Sequence, residues 1–210
     1  GIVAAPNQLA QRLGEDRIHL NSDVSIIDDI TLDINGQTKS FDAIVRAFNA
    51  NHINEKRHVW TLHFDAEHSH LKSRHVLLNG DVKINDGLIA HLAVPSDVQP
   101  EYAPVGRSLV TITVVGGRAD SLGLTEAPEI EEAVRKEAKA WFPNTSLNWR
   151  LLAIQHIEHA LPEVGSERPL LATPQVQDFE CGDHMPHGSV EGALLSAEAV
   201  ANAVVVHLQV

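Results

Sequence analysis

A strand-like run ends at Gly182, an acid follows at Asp183, and after a short loop Ser189 opens a long apolar helix. This passage constrains the fold more than any other, because it brings a strand end, a carboxylate and a helix N-terminus to one place. A missing Cβ at Gly182 lets another group approach the backbone closely. Ser189 suits the N-cap position. Gly192, Ala193 and Ser196 keep one helix face thin. A helix N-terminus offers unpaired N–H groups and partial positive charge, which attract a phosphate or an electronegative ring oxygen. Asp183 can accept a hydrogen bond from a sugar or ribityl hydroxyl, as acids do in dinucleotide sites. Read from the residues alone, the same passage equally describes a capped helix after a strand with a solvated aspartate.

Charge narrows the classes of partner. The 210 residues carry 16 Lys and Arg against 28 Asp and Glu, a net charge of −12. Nucleic-acid backbone needs clustered cations, and no run of four basic residues occurs, so no nucleic-acid partner is expected. Cys181 is the single cysteine, which excludes an internal disulfide and a cysteine-based zinc site. No signal peptide follows Gly1. No uninterrupted apolar run approaches the roughly 20 residues of a membrane span, so no transmembrane segment and a cytoplasmic location are expected. The absence of an initiator methionine suggests an excised or processed segment, or a tag remnant.

Periodicity predicts an α/β (α+β) chain. A short helix is expected over 6–13, closed by Gly14. Strands follow at 17–20, 24–27 and 30–34, and Asn35-Gly36 is a hairpin signal with its return strand at 38–41. The continuous apolar run 43–48 reads as a strand covered on both faces. A polar connection around 50–57 leads into strands at 58–64, 75–78, 88–94 and Ser108–Val115. A helix at 126–142 has Ile130, Val134, Ala138 and Trp141 at helical spacing, and a strand at 151–157 follows. An irregular connection at 162–176, a strand at 176–180 and a helix at 189–207 complete the reading.

The passage Gly182-Asp183, then Ser189-Val190-Glu191-Gly192-Ala193 with Ser196, resembles the C-terminal FAD motif of the flavin amine oxidase and phytoene desaturase superfamily. Ala197 stands where that motif has glycine. Residues 1–13 and 18–24 are similar to the segment preceding the superfamily's adenine-contacting strand. Residues 41–45 resemble the strand that returns to its FAD domain, with Arg46 where an apolar residue is usual. Residues 96–98 and 102–109 resemble the substrate domain of phytoene-desaturase-like oxidoreductases.

The resemblance implies an FAD cofactor touched by Val24, Gly182, Asp183, Ser189, Val190 and Glu191. The backbone at Val24 would meet the adenine edge, Asp183 would bond the ribityl chain, and the N–H groups near Val190 and Glu191 would face flavin or pyrophosphate. The superfamily's N-terminal G-x-G-x-x-G fingerprint is absent from this chain. The chain therefore reads as the C-terminal portion of a FAD-dependent oxidoreductase, weak or inactive alone: FAD-domain segments at 1–50 and 160–210, and a substrate-binding domain at 51–159. The implied substrate is a hydrophobic or amine small molecule oxidised by hydride transfer to flavin. Exposed apolar faces would favour self-association.

Two other classes stay open: a non-enzymatic binding module, and a hydrolase using Ser189. The hydrolase lacks a G-x-S-x-G elbow. The thirteen histidines, among them His63, His68, His70, His156 and His159, show no metal-binding spacing, so no metal is expected. Cys181 reads as a buried strand residue, and Trp60, Trp141 and Trp149 as core or interface. No general base stands out, so the catalytic residues remain unassigned.

Overall fold

Asn35 and Gly36 both take positive φ, 54° and 80°, the turn that matches the twist of a two-residue hairpin. In the computed structural model, which describes residues 1–48, 57–80, 87–162 and 179–209, this turn joins β2 (Thr31–Ile34) to β3 (Gln37–Ser40). β1 (Val24–Ile26) pairs antiparallel on the other side of β2. Helix α1 (Ala4–Leu13) precedes them and ends at Gly14. The architecture is α/β with several sheets. Two compact units are present, Gly1–Ala50 with Arg168–Val210, and Asn51–Glu167.

The central unit is an antiparallel sheet. β5 (Val59–Ala66), β6 (Leu77–Leu78), β7 (Ile89–Ala93), β8 (Ser108–Val115) and β9 (Arg150–Ile157) stand in the order β6-β7-β8-β5-β9. Strict alternation decides which face is core. Trp60, Leu62, Phe64 and Ala66 of β5, with Val110, Ile112 and Val114 of β8, are buried. Helix α4 (Ala127–Trp141) adds Ile130, Val134 and Ala138 to the same cluster. Each fully buried branched side chain there contributes on the order of 1.5–3 kcal/mol. A capping box holds the start of α4: Glu129 accepts from the N–H groups of Thr125 and Glu126 at 3.0 and 3.1 Å. Two short helices, α2 (Pro95–Val98) and α3 (Gly116–Ser121), were not expected from the pattern.

In the other unit β4 (Val45–Arg46) pairs in parallel with β10 (Phe179–Glu180), and α5 (Val190–Leu208) follows. Three expectations are corrected. Residues 17–20 are not a strand: Glu15–Arg17 form a 3-10 turn and Asn21 takes φ 54°, so the short apolar alternation is interrupted by local turn chemistry. The run 43–48 is not covered on both faces, since strand pairing is confined to Val45–Arg46 and Val45 stays 42% exposed. An apolar run buries both faces only where neighbours exist on both sides. Strand 75–78 shortens to Leu77–Leu78. The connections at 50–56 and at 163–176, and the strand start at 176–178, lie outside the described residues.

Helix α5 also differs from expectation. Its 19 residues are long and apolar enough, by length and composition alone, to cross a membrane, with only 17% of the stretch buried. The apolarity comes from alanine and valine interspersed with Glu191, Glu198 and Asn202, which hides it from a search for an uninterrupted run.

Candidate cofactor site at the start of the last helix

The strand β10 delivers the chain to Gly182, whose φ of 151° lies in the region that favours glycine. From there the turn through Asp183, His184 and Met185 leads to the helix. Ser196, fully buried, fastens this turn to α5. Its hydroxyl accepts from the Gly182 N–H at 2.9 Å and stands 3.0 and 2.9 Å from the Gly182 and Ala193 carbonyls, to either of which it can donate. Gly192 makes the return of the loop possible, because a Cβ there would stand 2.1 Å from the His187 carbonyl oxygen.

Ser189 is the N-cap: its hydroxyl accepts from the Gly192 N–H at 3.0 Å. Its carbonyl accepts from Ala193. The N–H groups of Val190 and Glu191 come too early in the helix for intrahelical partners. Both residues are exposed. Ser189, Val190 and Glu191 thus form the start of α5, and the turn carrying Gly182 and Asp183 is fastened to the same helix farther along, at Ser196. The structure places Val24 elsewhere, at the beginning of edge strand β1, 49% exposed and in a separate three-stranded sheet. Ala197 is exposed, so its methyl does not crowd the buried side of α5.

Beneath the turn lies a polar cluster that sequence reading missed. Glu180 pairs with His184 Nε2 at 3.0 Å and with Arg46 Nη2 at 3.6 Å. His184 is 4% exposed. The i,i+4 spacing of Glu180 and His184 was visible in the sequence, and the pairing of the strand before Gly182 with the strand in 43–48, expected if both return to one layer, is present and brings Arg46 alongside. Arg46 is therefore no misplaced apolar position; it neutralises Glu180. Cys181 is buried beside this group, and burial, then the Glu180 charge, pushes its thiol upward. Its chemistry is that of an inert core residue.

Ser189 Oγ also lies 2.8 Å from His187 Nδ1. This serine–histidine contact sits on exposed residues, and the same hydroxyl already accepts from Gly192. The geometry is that of a cap rather than of an activated nucleophile, which needs its base oriented by a third group.

In the sheet unit the face opposite the core is polar and half-buried. Thr61, His63 and Asp65 of β5 stand across from Thr113, Thr111 and Leu109 of β8. His63 Nδ1 and Thr111 Oγ1 are 3.1 Å apart. Arg107 and Arg150 both donate to Asp65, at 2.7 and 2.9 Å, and hold its carboxyl below the usual range. Burial lowers His91, the strand neighbour of Thr113. Trp60 and Trp149 are core residues at 5% exposure each.

One unit thus carries a strand end, an acid and a capped helix N-terminus, and the other an antiparallel sheet with one polar face. The chain belongs to the family of flavin-containing amine oxidoreductases, whose model matches residues 1–205. Solved structures of similar fold include an oxidoreductase from Methanosarcina mazei, 16% identical with TM-score 0.64, covering 88% of this chain and 50% of that one. A protein from Pyrococcus furiosus is 15% identical with TM-score 0.57, covering 87% and 46%. A putrescine oxidase redesigned in its cofactor binding is 12% identical with TM-score 0.62, covering 98% and 53%. The chain spans about half the length of these solved structures. No curated protein matches it.

Proposed function

We propose that this chain forms the C-terminal cofactor-facing and substrate-facing part of a FAD-dependent oxidoreductase that takes hydride from a hydrophobic or amine substrate. The reading is supported by the turn carrying Asp183, fastened to α5 through Ser196, and by the open N-terminus of that helix, within a family of flavin-containing enzymes. The residues fit the cofactor. The unpaired N–H groups of Val190 and Glu191 suit an electronegative acceptor. The Glu191 carboxylate in the same turn repels an anion, which favours a flavin ring oxygen over a pyrophosphate there. Asp183 accepts from a ribityl hydroxyl, and the backbone at Val24 meets the adenine edge.

The flavin supplies the redox chemistry when bound, and the protein shapes and orients. In this reading the segments 1–50 and 160–210 hold the cofactor, and 51–159 presents substrate on the polar face around Thr61, His63, Thr111 and His91. Kinship with phytoene dehydrogenases, a cytoplasmic setting and self-association through exposed apolar residues such as Leu9, Leu13 and Val206 belong to the same proposal.

The test is an FAD titration of the purified chain, followed by flavin fluorescence quenching. Without the G-x-G-x-x-G helix and its acid, several charge-assisted hydrogen bonds of roughly 1.5–3 kcal/mol each are missing, so binding is weaker by several powers of ten than in a complete flavoprotein. Asp183→Ala lowers what remains. Stoichiometric FAD retained through gel filtration overturns the account of a partial site, and a titration indifferent to Asp183→Ala overturns the assignment of Asp183.

A further inference from the structure

At one end of the five-stranded sheet three residues distant in sequence form a hydrogen-bonded chain. Asp120 Oδ2 lies 3.0 Å from His58 Nε2, and His58 Nδ1 lies 2.8 Å from His156 Nε2. His58 precedes β5, Asp120 sits on α3 and His156 near the end of β9. The imidazole of His58 fits only because residue 116 is glycine: a Cβ there would fall 2.3 Å from the ring. The ring of His156 lies flat on the Trp60 indole, centroids 3.9 Å apart and planes 5° from parallel. These contacts hold two imidazole planes in place.

Proton counting then assigns the tautomers of the neutral pair. Ionised Asp120 accepts only, so His58 Nε2 carries the hydrogen and His58 Nδ1 is left as an acceptor. His156 must donate to it from Nε2. The remaining nitrogen, His156 Nδ1, is then left as an unprotonated lone pair. That is the arrangement in which histidine binds metal, its other N–H held by an outer partner that fixes tautomer and ring orientation. The cavity at this point, about 300 Å³, is lined by His58, Asp120, His156, Glu158 and His159, all of them residues able to ligate a metal.

We propose that this cavity binds a divalent transition-metal ion of the zinc class, with His156 Nδ1 as the fixed ligand and Glu158 and His159 completing the set. Asp120 and His58 are positioning residues. Imidazole and carboxylate donors suit zinc, cobalt or copper rather than magnesium or calcium. Among the described residues no group of three side chains already stands as a coordination sphere. The site is therefore assembled on binding, when Glu158 and His159, both exposed in the turn after β9, swing toward His156. The ion keeps at least one open or water-filled position. The inference lies wholly within the sheet unit and does not depend on the flavin reading.

The test uses the purified chain, freed of metal by chelator, with zinc alone in calorimetry and cobalt alone in visible absorption. The expected result is one zinc per chain and a cobalt spectrum of low coordination number. His156→Gln abolishes both. His159→Gln and Glu158→Gln, on exposed side chains where folding is not at stake, each weaken zinc binding. Asp120→Asn lowers affinity by roughly 10–100-fold while leaving the cobalt spectrum in shape, which separates positioning from ligation. His68→Gln, remote in sequence, changes neither. Absence of zinc binding overturns the proposal. So does zinc binding that survives both His156→Gln and His159→Gln, which would assign it to other histidines.

Discussion

Ser196 shows how one buried hydroxyl can organise a site. Its hydroxyl ties the Gly182 turn to α5. Ser196→Ala leaves the part-buried Gly182 N–H without its acceptor, a loss of about 1–3 kcal/mol, read as a lower urea midpoint at unchanged slope. Gly192→Ala is expected to be worse for the site, because the His187 carbonyl has to retreat and move the loop; overpacking of this kind costs about 1–3 kcal/mol. Cys181, with its thiol pushed up by burial, should react with a disulfide reagent slowly in the native chain and rapidly in denaturant. Equal rates in both states would remove the claim that it is an inert core residue.

Elements are joined by contacts that no periodicity reveals. Glu137 lies on the α4 helix, and its carboxylate accepts from the Leu88 and Ile89 N–H groups at 2.7 and 3.1 Å and from Asn79 at 2.9 Å. It ties the helix to the start of β7, where the ladder with β8 is irregular and backbone donors need another acceptor. Glu137→Ala strands two backbone N–H groups and should cost about 1–3 kcal/mol. Glu137→Gln retains one acceptor oxygen and should cost less. Calorimetric melting of the two variants checks the order, and the reverse order would show that charge rather than satisfaction of the backbone matters. At the start of the same helix the capping box was legible only as Pro128 in the first turn; Glu129 reaching back to residue 126 required the structure.

At the scale of the whole molecule the two units differ in what holds them. All of the buried apolar cluster described around Leu62, Phe64 and Ile112 belongs to the sheet unit. In the other unit the buried apolar residues among those described are Cys181, Met185 and Val200. Local stability follows apolar burial, so amide exchange should be slowest in β5 and β8 and fast in α1 and β1–β3; comparable protection in both would contradict this division. Acid should act on the sheet unit through Asp65. Its carboxyl is held low by hydrogen bonds from Arg107 and Arg150. A depressed carboxyl contributes stability that is present above its unfolded value of about 3.9 and is lost as pH falls through the lower folded one. Asp65→Asn should flatten the acid limb of a stability–pH curve and leave its neutral part lower.

What the sequence determined by itself was local and periodic. The Asn35-Gly36 hairpin, the Ser108–Val115 strand, the mid-chain helix and the Ser189 cap all follow from turn chemistry and spacing, because the forces that set them act within a few residues. The turn from Gly182 and Asp183 to the helix start at Ser189, Val190 and Glu191 was legible for the same reason: its parts are neighbours along the chain. Only the tertiary structure decided that Arg46 meets Glu180, that the run 43–48 is paired at two residues alone, and that Asp120, His58 and His156 form one chain of hydrogen bonds. Each depends on which strands lie side by side, and pairing between distant segments is set by the burial of whole faces rather than by any short stretch of residues.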